Sequence, residues 1–162
     1  MLSRYLLLPV VIILALPMSV FSEGDVLTME QVQTILKTTR DFSGKNLSRM
    51  KLTGMDLSKS NFRNSDLRDA RMRGTDLNGA DLRGANLKDA LLDGANLRGV
   101  DFTGANLYCV TFHKSDLSGA KLNMTDLTIA EFVEAIVAGA DFEGANIAGA
   151  DFKGTNMSTV KN

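Results

Sequence analysis

From residue 42 onward a large apolar side chain stands at every fifth position, and the positions between follow a fixed order. The series opens Phe42, Leu47, Leu52, Leu57 and closes Phe142, Ile147, Phe152, Met157, which makes 24 units without an insertion. Two residues before each large residue stands Ala, Ser, Thr or Val in 20 of the 24 units. The exceptions, Arg40, Lys45, Met50 and Met55, are the first four. Directly before the large residue stands Asp or Asn in 17 units, and two residues after it stands Gly in 13.

A period of five fits no ordinary element. On an α-helix it advances each side chain about 140° and lines no single face; on a strand it breaks the two-residue alternation. A chain that bends about 90° every five residues does satisfy it. The large residue and the small one two earlier then both point inward, and the second must be small because the interior cannot hold two large ones. Gly suits the corner, where a type II turn needs positive φ. Asp and Asn suit an outward position whose side chain bonds nearby backbone.

Units such as Ala85-Asn86-Leu87, Ala95-Asn96-Leu97 and Ala105-Asn106-Leu107 resemble the pentapeptide-repeat family, whose unit is written A(D/N)LXX. The resemblance covers residues 40–159 and implies an all-β solenoid, a right-handed quadrilateral β-helix with four units per coil. The 24 units then form about six coils, a rod about 29 Å long at the spacing of stacked strands. Stability should come from stacking neighbouring coils.

A solenoid must cover its ends. Thr28-Met29-Glu30-Gln31 fits a helix-capping box, and Met29, Val32, Ile35 and Leu36 recur at helical spacing. This predicts a short capping α-helix at about 29–39, within an N-terminal segment spanning 23–39. The four long side chains at the small-residue position predict that the first coil is opened out beneath this helix, because Arg40 and Lys45 could not be buried unpaired. At the other end only a tail, residues 160–162, follows the β-helix. Phe142, Ile147, Phe152 and Met157 would form an uncovered last layer. Relatives of this fold can pair through that end, so the resemblance implies a homodimer through the C-terminal coil. The plainer expectation is a frayed last coil.

Residues 1–22 read as an export signal: Arg4, then an apolar run from Leu6 to Leu16, then Pro17 and a Val20-Phe21-Ser22 cleavage site. The protein is therefore expected to be exported, to the periplasm or beyond. The alternative is an inner-membrane anchor formed by residues 5–22, which would be its one membrane contact. A net charge of −1 points to no nucleic-acid partner, and one Cys and one His supply no usual metal site. No cofactor is expected.

Departures from the repeat gather on one side. Every fourth unit faces the same way, and on the third face the Asp/Asn position reads Lys51, Arg71, Leu91, Thr111, Glu131 and Asp151. The next outward column reads Thr53, Arg73, Asp93, His113, Val133 and Lys153. The candidate interaction surface is accordingly Lys51, Arg71, Arg73, Leu91, Asp93, Thr111, His113, Glu131 and Val133. A plainer explanation is that this face uses a different turn and tolerates more residue types. Charge also divides along the rod: residues 40–99 hold 12 basic and 8 acidic side chains, residues 100–159 hold 3 and 8. The basic belt (Arg63, Arg68, Arg71, Arg73, Arg83, Lys88, Arg98) could meet an acidic partner, or be neutralised by the interleaved Asp residues. Ile129, Val133, Ile136 and Ala138 form a small apolar patch.

These features favour a non-enzymatic structural or interaction module of the bacterial cell envelope, its partner an unknown protein or envelope polymer. The resemblance also brings DNA mimicry, by which some relatives protect type II topoisomerases; the export signal and the basic belt speak against it. A hydrolase acting through Asp93 and His113 lacks a nucleophile in matching position.

Overall fold

The computed structural model describes residues 24–161. The expected signal segment, 1–22, lies outside the described residues. From Asp41 to Lys161 the chain repeats one motif, a single bridging residue and then a two-residue turn, every five residues, with the bridge missing at Asn156. Each bridge is parallel and joins residues twenty apart, as in Asp41↔Asn61, Asn61↔Asp81 and Asp81↔Asp101. Four bends per twenty residues give a four-sided coil, and successive coils stack in register.

The turns follow from the corner residue. In unit after unit the amide of the residue three beyond the large apolar one donates to that residue's carbonyl, as Ala85 does to Leu82 at 3.1 Å. The residue between has positive φ, whether Gly or not: Gly84 at 65°, Asp89 at 60°, Cys109 at 56° and Met124 at 57°. That is the type II turn. All 17 Asp and Asn residues at the outward position accept, through Oδ1, the backbone N–H two residues on, from Asp41 to Ser43 through to Asn156 to Ser158. The large residues from Phe42 through Phe132 have no exposed surface. Phe112 and Phe132 stack with centroids 4.8 Å apart, and Phe42 and Phe62 do the same. Buried Ser65, Thr75, Ser115 and Thr125 turn their hydroxyls onto the carbonyl three residues back and so enter the core satisfied; Ser60, buried at the same position in the first of these units, has no partner for its hydroxyl.

One helix, α1 (Met29–Thr38), precedes the coils, and its capping box joins Thr28 and Gln31 reciprocally. Val26 bridges to Asn46, so the segment before α1 already belongs to the ladder. Val32 is fully buried in the core, with Leu27, Ile35 and Leu36 packed beside it.

The first coil is not opened out. Phe42, Leu47, Leu52 and Leu57 are fully buried, and all four of its bridges to the second coil are in place. Its long side chains fit because no full coil precedes them. Lys45 is exposed, and Met50 and Met55 are half-buried against the core. Arg40 is half-buried but paired, to the Ser58 carbonyl and to Asp56 at 3.2 Å.

Candidate functional site

The third face is a continuous column of bridges: Lys51↔Arg71, Arg71↔Leu91, Leu91↔Thr111, Thr111↔Glu131 and Glu131↔Asp151. Its turns are the same type II as elsewhere, with positive φ at Gly54, Gly74, Gly94, Lys114, Glu134 and Gly154. A different turn therefore does not explain its departures. What it lacks is the local carboxylate bond: only Asp151 on this face accepts the N–H two residues on. The side chains are free to pair between coils instead.

They do so as a relay. Arg73 Nε donates to Asp93 Oδ2 at 2.8 Å. Asp93 Oδ1 accepts the backbone N–H of His113 at 3.3 Å and lies 3.9 Å from its Nδ1. His113 Nε2 meets Glu131 Oε2 at 2.6 Å. Burial pushes the Asp93 carboxyl up, but the hydrogen bond from Arg73 and the nearby His113 outweigh it and hold it below the usual carboxylate value. Both ring nitrogens of His113 thus face carboxylates, which leaves neither directed at a nucleophile. The sequence columns put His113 between Asp93 and Val133; its shorter contact, to Glu131, crosses to the neighbouring column.

The basic belt is mostly neutralised where it stands. Arg63 and Arg83 approach Asp81, Arg68 grips Asp66, and Arg98 reaches Asp116. The Arg68 and Arg83 guanidiniums hold the Asp66 and Asp81 carboxyls below their ordinary range. Among the described residues Arg71 is the one arginine without a carboxylate partner, and Lys51, bridged to it, is also unpaired. Of the nine surface candidates, then, Lys51 and Arg71 offer free charge. Arg73, Asp93, His113 and Glu131 are committed to one another, and Leu91, Thr111 and Val133 are half-buried spacers.

At the C-terminal end Phe142 is 7% exposed, but Ile147 is 48% and Met157 37% exposed, with Phe152 half-buried between them. No described residue accepts from the N–H groups of Ile147, Phe152 or Met157. Val160 packs on the core and Lys161 bridges to Asp141, so the ladder continues past 159. Cys109 is a half-buried corner residue, and burial together with Asp89 pushes its thiol up, away from the reactive thiolate. Among the described residues no helix is long and apolar enough to cross a membrane.

The comparisons agree with this geometry. Residues 45–122 match the family described as Pentapeptide repeat region, and 124–161 match Pentapeptide repeats (8 copies). None of the curated proteins matches the chain. Among solved structures, a pentapeptide repeat protein from the cyanobacterium Cyanothece 51142 is 23% identical with a TM-score of 0.58, covering 83% of this chain and all of its own. QnrB1, a plasmid-mediated fluoroquinolone resistance protein, is 26% identical with a TM-score of 0.58, covering 75% of this chain and 64% of its own. A pentapeptide repeat protein of the Arabidopsis thaliana thylakoid lumen is 33% identical over 72% of this chain and 68% of its own, with a TM-score of 0.41. Repeat register, stacked coils and the two family matches together place the chain in the pentapeptide-repeat family.

Proposed function

We propose that this protein is a non-enzymatic, exported rod of the bacterial cell envelope that works by binding other proteins. The observation that carries the reading is the contrast within one stack. The interior is filled and paired coil after coil, while the last layer leaves Ile147, Phe152 and Met157 uncovered beside unpaired amides. An apolar end with free backbone groups is a surface for association. The first partner is a second copy through this end. Mass measured at high micromolar concentration should be that of a dimer; a strict monomer removes the homodimer. Capture from the envelope fraction should then yield partners that an Arg71→Glu variant loses, if the Lys51–Arg71 surface also binds. Recovery of the protein from the cytosol with its first 22 residues intact overturns the exported reading.

The likeness to QnrB1 supports a second reading, DNA mimicry. Its acid surplus would have to come from residues 100–159, with 3 basic and 8 acidic side chains, since the preceding coils carry a net positive charge. Inhibition of gyrase supercoiling by the purified protein is the result that would favour it.

A further inference from the structure

The ladder has one internal break. On the fourth face the bridges run Asp56↔Asp76, Asp76↔Asn96, Asn96↔Asp116 and Asp116↔Ile136, and there they stop, although the chain beyond supplies Asn156 in the next position. The other three faces do make their last bridges, to Asn146, Asp151 and Lys161. Regular pairing would have Val137 N–H donate to the Asn156 carbonyl and Asn156 N–H donate to that of Ala135. On the third face Phe132 and Ala130 make these two bonds with Asp151, at 2.7 and 3.0 Å. At Val137 and Asn156 neither forms; Gly139 N–H reaches only the Thr159 hydroxyl, at 3.3 Å.

A cavity of about 320 Å³ fills the gap, walled by Glu134, Ile136 and Ala138 on one side and Gly154, Asn156 and Thr159 on the other. At its base Ala135 and Val137 belong to the core, and Ile136 at the rim is 53% exposed. A donor and an acceptor, spaced for one strand residue, therefore open onto an apolar slit.

We infer that this slit takes one short extended segment of another protein, bound as an added strand residue between Val137 N–H and Ala135 C=O. The proposal rests on the interaction-module reading and gives it a partner chemistry. Backbone groups left open in this spacing select an extended backbone, since strand addition is how such edges are satisfied. The charges choose its flanks. Glu134 lines the slit, with Glu131 and Asp151 on the adjoining face; Lys114 lies 3.7 Å from Glu134, His113 engages Glu131, and Lys153 and Lys161 stand on the last coil. Over residues 120–161 six carboxylates stand against three lysines, so the guest carries Lys or Arg beside a small apolar residue.

The test uses isotope-labelled protein and the peptide acetyl-Lys-Thr-Val-Ala-Lys-amide as probe. The Val137 and Gly139 amide resonances should move on titration, and N-methylation of the peptide's central residue should weaken binding roughly tenfold. Exchanging its lysines for glutamates should weaken it further. Ile136→Asn, which restores the residue type usual at that position, should reduce peptide affinity without lowering the unfolding midpoint. Equal binding of the N-methylated peptide overturns the proposal. So does a Val137 amide that exchanges, in the free protein, as slowly as that of Leu117, because the slit is then closed by Asn156. If these peptide tests fail while Arg71-dependent capture succeeds, the slit alone is lost; if both fail, so is the interaction reading.

Discussion

The two ends of this rod are built from the same repeat and finished in opposite ways. At the N-terminal end Val26 extends the ladder by one bridge and α1 lays Val32 into the core, so the first four large residues are as buried as those in the middle. At the C-terminal end three of the last four large residues keep exposed surface and one bridge is missing. Sequence patterning inside a coil is therefore not what buries it; a neighbour on each side is. This is the nearest-neighbour logic of a solenoid, seen at its two boundaries.

The sharpest way to break the comparison is one deletion made in two places. Leu87→Ala, in a layer packed on both sides, should cost about 2–5 kcal/mol by urea unfolding. Met157→Ala should stay within about 0.5 kcal/mol. Similar losses at both would mean that the last layer is covered in solution.

The next effect concerns corners. Gly144 has φ of 68°, and a Cβ there would stand 2.6 Å from Met124 Sδ. Gly119 has φ of 67° and open space around it. Gly119→Ala should cost about 1–2 kcal/mol, the strain of a left-handed backbone. Gly144→Ala should cost more, and Met124→Ala in the same chain should recover the excess. Equal costs at the two glycines, measured by thermal unfolding, would show that Met124 swings away freely.

Smaller still is the helix contribution. Thr28→Ala removes the Thr28 hydroxyl that accepts the Gln31 N–H and should cost about 1 kcal/mol. Helical circular dichroism should fall with the stability; if it falls alone, α1 adds nothing to the stack.

Acid should act most gently, through the outward carboxylates. Asp66 and Asp81 are held below the ordinary value of 3.8 by Arg68 and Arg83. Carboxyls lowered in the folded state contribute stability above that value and lose it as pH falls through their own. The urea midpoint should thus hold steady near neutrality and decline below about pH 4, because protonation then favours the unfolded chain. The decline should shrink in an Arg83→Gln variant.

Much of this was legible in the residues because the period ties position to environment. Leu87 and Phe112 could be placed inside, and Asn86 outside with its side chain on the backbone, from register alone. The same register puts Cys109 and Met124 at corners, where they adopt positive φ without being glycine. Three things were not legible. The long side chains at Arg40 and Lys45 read as trouble for the first coil, because sequence does not show that an end position has room. The His113–Glu131 contact spans eighteen residues, whereas the columns step by twenty. The break opposite Asn156 falls at a unit that obeys the pattern, and apart from Ile136 nothing in the repeat marks it.

The single offset of twenty residues that governs every bridge also makes the molecule an indexed screw. Removing one whole coil shortens it and leaves each outward column aligned with those before and after. Removing five residues instead turns everything downstream by a quarter revolution, so the Lys51–Arg71 stripe and the His113–Glu131 stripe would look in different directions. Length and azimuth can thus be changed independently, by the number of residues alone, without altering the chemistry of any unit.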